Sequence, residues 1–78
     1  MVLRVAKQDS AYLYALLEAH EGVVNFSTLP SEKTAGFRDI YVFSTDSMFA
    51  ELKRVIALLR ESVGFQIVDE SNSPPANP

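Results

Sequence analysis

The chain has 78 residues, of which 47% are hydrophobic and 22% are charged, and its formal net charge at pH 7 is −3. These values are typical of one small globular domain, and they exclude a chain that is disordered throughout. With no cysteine and one histidine, disulfides, thiolate metal sites and multi-histidine metal sites are excluded.

The first half of the sequence predicts a strand, a helix and a second strand. Residues 2–6 form a short run with β-branched side chains, and leucines and alanines at helical spacing follow it. Asp9 and Ser10 are candidate N-cap residues for this helix. Gly22 is suited to end it, because glycine adopts positive φ at no steric cost. Residues 23–29 indicate the second strand.

The second half predicts a loop, a strand, a helix and a last strand. Residues 30–36 have the composition of a solvated loop, and residues 37–43 are dense in aromatic and β-branched side chains. An apolar stripe at steps of three and four runs through residues 48–63, which is the period of a helix. Gly64 is expected to end that helix as a glycine ends the first, and residues 65–68 follow as a strand.

The order β-α-β-β-α-β is that of a ferredoxin-like sandwich. We predict an α+β fold with two layers: a four-stranded antiparallel sheet in the strand order 4-1-3-2, with both helices on one face. A helix of ~13 residues and a strand of ~6 both span about 20 Å, so the layers match in length. The domain is predicted over residues 1–70, and the proline-rich tail, 71–78, is expected to be disordered.

The third strand carries apolar side chains on both of its faces. We assign Ile40 and Val42 to the core, which leaves Phe37, Tyr41 and Phe43 on the sheet face without helices. Exposed aromatic patches usually mark a partner surface, and small cores often gain stability from self-association. We therefore predict a homodimer whose interface contains these three rings. The alternative is that a helix or the preceding loop covers them.

Few residues offer catalytic chemistry. Ser10 and His20 are about 15 Å apart on one helix, too far to form a catalytic pair, so His20 is expected to interact with the helix dipole. Asp39 is the one candidate acid or base for the alternative function, a small dimeric ferredoxin-like enzyme. An RNA-recognition module is less favoured, because Asp39 occupies a stacking position and the net charge is acidic. No catalytic residue, metal or cofactor is assigned.

The stretch from Gln8 to Leu29 resembles the opening of ACT domains, which are small ligand-binding regulatory modules of this fold. The residues that match their pattern in kind and approximate spacing are Leu13, Gly22, Asn25 and Phe26. Ala11 stands nearest to the glycine that the pattern has at the helix start. The chain, with its run LEAHEG, is also similar to short, uncharacterised bacterial ACT-like proteins.

The resemblance implies a regulatory or interaction module that pairs with a second copy and binds a small polar metabolite. The ligand would lie at the turn formed by Lys7, Gln8, Asp9 and Ser10, where a helix start offers free N–H groups. Asn25 would reach it across the subunit boundary. The sequence shows neither the apolar run of a signal peptide nor a membrane-spanning stretch. We thus expect a cytoplasmic location, with neither membrane nor nucleic acid as a partner.

Overall fold

The computed structural model describes residues 1–32 and 34–75, and it has the predicted order of elements. They are β1 (Val2–Ala6), α1 (Ser10–Glu18), β2 (Asn25–Thr28), β3 (Phe37–Phe43), α2 (Phe49–Leu59) and β4 (Phe65–Asp69). A short 3₁₀ turn precedes each helix. One residue of the predicted loop, 33, and part of the predicted tail, 76–78, lie outside the described residues.

The four strands form one sheet in the order β2-β3-β1-β4, with every neighbouring pair antiparallel. This is the predicted order 4-1-3-2 seen from the other edge, so the ferredoxin-like α+β fold is confirmed. The central strand β1 pairs with the other central strand, β3, over its whole length, from Val2 opposite Tyr41 to Ala6 opposite Phe37. The strands β2 and β4 form the edges.

Both helices bury their apolar side chains against the same face of the sheet. Ile40 and Val42 are each 0% exposed, as the alternation of β3 predicts. The other buried side chains of this core include Leu3, Val5, Leu13, Leu17, Leu52, Ile56 and Leu59. Each such side chain contributes ~1.5–3 kcal/mol when fully buried, so this single layer of contacts supplies most of the driving force for folding.

The start of α1 differs from the prediction of a side-chain N-cap. Asp9 precedes the helix, but its backbone is helical (φ −98°, ψ −4°) because it belongs to the 3₁₀ turn Lys7–Asp9. A capping side chain needs an extended backbone, and Asp9 accordingly makes no capping hydrogen bond. The Ser10 hydroxyl instead donates to the Lys7 carbonyl, 2.8 Å away.

The two helix-ending glycines also differ from one another. Gly22 has φ +98°, and this left-handed conformation lets the N–H groups of Val23 and Val24 turn back to the His20 carbonyl at 3.1 and 3.0 Å. Gly64 lies outside the left-handed region, so the expectation that it ends α2 in the same way is wrong. The chain after α2 turns without it, since the Val63 N–H already bonds to the Leu59 carbonyl at 3.1 Å.

This contrast makes a prediction about two matched substitutions. Gly22→Ala should lower the free energy of unfolding by about 1–2 kcal/mol, because an L side chain is strained in the left-handed region. Gly64→Ala should leave it unchanged or raise it by up to ~0.5 kcal/mol, because alanine restricts the unfolded chain. Urea unfolding followed by circular dichroism measures both, and an equal loss in the two variants would contradict the assignment.

Candidate functional site

The sheet face away from the helices, here called the open face, is covered by neither α1 nor α2. Residues directly opposite in an antiparallel pair share a face, so the pairings of β1 and β3 identify its members. They are Val2, Arg4, Ala6, Asn25, Ser27, Phe37, Asp39, Tyr41, Phe43 and Gln66. The face thus combines aromatic, charged and amide side chains on neighbouring strands.

Three of the open-face residues form an aromatic row along β3, namely Phe37, Tyr41 and Phe43. The rings of Tyr41 and Phe43 stack with their centroids 4.7 Å apart. All three side chains are half-buried rather than exposed, which differs from the full exposure expected for Tyr41 and Phe43. The cause is partly their mutual stacking and partly the chain that follows β4.

That chain, residues 70–75, is called the strap because one of its residues ties it to the end of β3. The Asn72 side chain accepts a hydrogen bond from the Ser44 N–H at 3.2 Å and donates one to the Ser44 carbonyl at 2.8 Å. The Tyr41 hydroxyl donates to the Asn72 carbonyl at 3.0 Å. Residues 71–75 of the strap belong to the tail for which the sequence predicts disorder, yet the Asn72 side chain there bonds to both backbone groups of Ser44.

An ion pair divides the open face in the middle. Arg4 donates to both carboxylate oxygens of Asp39, from Nε at 2.9 Å and from Nη2 at 3.0 Å. The Arg4 guanidinium also lies over the Phe37 ring, 4.2 Å from its centroid. The hydrogen bond to Asp39 raises the pKa of Arg4 above its ordinary value. Because Arg4 occupies both oxygens, the geometry does not favour Asp39 as a catalytic acid or base.

The turn predicted to bind a ligand lies at the end of β1. Lys7, Gln8 and Asp9 are exposed, whereas Ser10 is 7% exposed and its hydroxyl is engaged within the turn. The Lys7 N–H donates to the Gly36 carbonyl at 3.0 Å, which joins the turn to the loop before β3. The hydroxyl that the prediction assigns to a ligand is therefore committed to the local fold.

Asn25, the other predicted ligand-binding residue, lies at the opposite end of the sheet. It pairs with Phe43, whereas the turn follows Ala6, which pairs with Phe37. These positions are six residue steps apart along β3, which corresponds to about 20 Å along an extended strand. The chain does not bring Asn25 and the turn together, so the pocket predicted from the sequence needs Asn25 of a second copy.

His20 has a local role at the end of α1. Its Nδ1 donates to the Leu16 carbonyl at 3.0 Å, which satisfies one of the last carbonyls of the helix. Among residues 1–32 and 34–75, no cluster of three or more histidine, aspartate or glutamate side chains could hold a metal ion. His20 thus helps to end a helix, as its position in the sequence suggested.

Arg4 and Gln66 lie on the open face, and neither is among the site residues predicted from the sequence. Arg4 lies between Asp39 and Gln66 in the pairing of three strands, and it borders two open clefts of about 560 and 490 Å³. The feature of the sequence that could have indicated a role for Arg4 is its position inside an otherwise apolar strand. Only the pairing register shows which side chains flank it.

Comparison with known proteins gives no relative for this chain: no family model, curated protein or solved structure matches it. Neither of the helices in the described ranges has the length and apolar character needed to cross a membrane. The resemblance to ACT domains therefore stays a prediction from the sequence pattern.

From the contacts of the strap, we expect substitution by alanine to affect stability more at Asn72 than at Asn25. Asn72→Ala removes the paired bonds to Ser44 and should cost about 1 kcal/mol of stability, while the amide of Ser44 exchanges faster with solvent. Asn25→Ala, the control, loses one long contact of 3.5 Å to the Phe43 carbonyl and should change little. Hydrogen exchange measured by NMR distinguishes the two, and equal protection of Ser44 in both variants would contradict the role of Asn72.

The start of the strap also makes a prediction about pH. The Ser71 N–H donates to Asp69 Oδ1 at 2.9 Å, and this bond, helped by the Ser71 hydroxyl, lowers the pKa of Asp69. A lowered folded-state pKa stabilises the fold above the pH at which an unfolded aspartate titrates, ~3.9. That stabilisation is lost as the pH falls through the folded-state pKa.

Carboxyl-detected NMR titration should accordingly show Asp69 titrating below the usual range. Ser71→Pro removes both donors and should return the pKa towards its ordinary value. Ser71→Ala keeps the backbone N–H, which is the larger cause, and should retain most of the shift. The same pKa in all three proteins would refute this explanation.

Proposed function

We propose that this chain is a small ACT-like regulatory or interaction module that pairs with a second copy of itself through the open face. The observation that carries the proposal is the aromatic row on a central strand, on a sheet face that no helix covers. Because β3 is a central strand, small movements of the edge strands β2 and β4 would not cover its aromatic side chains. A partner surface is the usual reason for such a row.

The half-burial of the rings limits how strong the pairing can be. Completing the burial of each ring would contribute roughly 1 kcal/mol, whereas association costs at least ~4 kcal/mol in lost freedom of motion. The three rings alone do not hold a tight dimer. Neighbouring open-face residues such as Ser27 and Gln66 have to contribute, and the dimer should depend on concentration.

The proposal includes a small polar metabolite at the subunit boundary. The turn Lys7–Ser10 and Asn25 lie at opposite ends of the strands within one chain. Suppose that the two copies are related by a two-fold axis that lies in the interface and runs perpendicular to the strands. The strands of the two copies then run in opposite directions, so the turn Lys7–Ser10 of one copy lies near Asn25 of the other. This geometry supports a shared pocket, and binding there would favour the paired state.

The molar mass in solution tests the pairing. We expect light scattering across a concentration series to show a rise from monomer to dimer. Tyr41→Lys should abolish the rise, because a charge would be buried in the interface. Since Tyr41 also bonds to Asn72, Ser27→Lys serves as a second variant that loses no packing contact. It places a charge opposite Tyr41.

Tyr12→Lys is the matched control. Tyr12 is 53% exposed on α1, so the same substitution there should leave the dimer intact. A monomer at every concentration for the unchanged chain would refute self-association. A dimer that Tyr12→Lys dissociates and Ser27→Lys does not would move the interface to the helical layer.

A further inference from the structure

A hollow lies on the open face where β1 ends. Ala6 pairs with Phe37 on one side, and on the other side stands Gly64, which directly precedes the pairing of Phe65 with Val5. The row across the strands therefore has a large side chain, then a methyl group, then no side chain. The result is a cleft of about 560 Å³, within the ~300–1,000 Å³ of typical small-molecule sites.

The next row along the strands supplies polar groups to this cleft. Asp39, Arg4 and Gln66 stand opposite one another on β3, β1 and β4. Asp39 occupies two of the five N–H groups of Arg4. The Arg4 side chain remains 40% exposed, and Arg4 and Gln66 both line the cleft. Arginine and an amide thus face one hollow together.

The arginine is also held in position before any ligand arrives. Its guanidinium is fixed at one edge by Asp39 and over one face by Phe37, at 4.2 Å from the ring centroid. Arg4 therefore loses little side-chain freedom when a further group binds, which is the condition for useful affinity at an exposed site.

The charge around the cleft selects the kind of ligand. Among the described residues that line it, none is acidic, and Arg4 is the charged one. The neighbouring cleft of about 490 Å³ on the loop side shares Arg4 but also contains Glu32 and Asp39. An anion would therefore meet less negative charge in the hollow above Ala6.

We propose that this hollow binds a small organic carboxylate with a flat apolar body. The carboxylate would accept hydrogen bonds from Arg4 and the Gln66 amide, since guanidinium groups bind carboxylates with two parallel bonds. The apolar body would lie over Ala6 and Gly64, against the Phe37 ring. The site is formed within one chain and does not rest on the proposed self-association, with which it would compete because Phe37 and Gln66 belong to both.

Benzoate and its neutral analogue benzamide test the site in the full chain. In two-dimensional amide NMR, benzoate should shift the amides of Ala6, Gly64 and Gln66, with an affinity at least tenfold higher than that of benzamide. Titration at a concentration where the protein is monomeric keeps this result separate from pairing. Equal shifts from both compounds, or benzoate shifts confined to other residues, would overturn the proposal.

Substitutions in the ion pair sharpen the test. Arg4→Gln should abolish the preference for benzoate, whereas Asp39→Asn should tighten benzoate about two- to fivefold, because it removes the carboxylate that competes for Arg4. A purely structural ion pair would not yield tighter binding. Arg54→Gln is the control, since Arg54 pairs with Glu51 on α2 and should bind benzoate as the unchanged chain does.

Gly64→Leu tests the hollow without touching the ion pair. A Cβ atom at Gly64 meets no atom within 4 Å, and its backbone is not in the left-handed region, so the variant should fold. Its side chain would fill the hollow, and benzoate affinity should fall at least tenfold. Unchanged binding in Gly64→Leu or in Arg4→Gln would refute the site.

Discussion

Strand β3 is apolar on both of its faces, and it is one of the two central strands. Its side chains alternate by two residues, so Ile40 and Val42 enter the core while Tyr41 and Phe43 are directed to the other side. No shift of register removes this conflict, because a slip by one residue would only exchange the two apolar sets. The open face is therefore a necessary product of the strand that anchors the core.

The open face is not covered by a helix but is divided into two regions by an ion pair. The pair formed by Arg4 and Asp39 crosses its middle and separates two regions of different character. On one side, the rings of Tyr41 and Phe43 stack, and the Tyr41 hydroxyl donates a hydrogen bond to Asn72 of the strap. On the other, the small residues Ala6 and Gly64 leave a hollow beside an arginine. An apolar region and a polar cleft thus lie side by side on one four-stranded sheet.

At the ends of the helices, local sequence patterns predicted the conformation of some residues correctly and of others wrongly. Gly22 has positive φ as expected, because the reason is the absence of a Cβ atom and therefore belongs to the residue itself. Asp9 and Gly64 did not take the roles expected of them. Their conformations depend on the neighbouring 3₁₀ turn and on the turn after α2, which the packing of the chain determines. The residue type limits which backbone conformations are possible at a helix end, but the packing of neighbouring segments determines which of them the residue adopts.

By itself, the sequence determined the order of elements and the order of strands. The elements follow from hydrophobic periods of two and about 3.6 residues, which are properties of short stretches of chain, and the strand order follows from the handedness of the crossovers. Tertiary structure alone decided that Arg4 stands between Asp39 and Gln66, that Asn72 pairs with Ser44, and that Asn25 lies far from the turn after β1. Each of these depends on the register between strands or on contacts between distant segments. The hydrogen bonds from Asn72 to Ser44 and from Arg4 to Asp39 join residues 28 and 35 positions apart, and no local pattern specifies them.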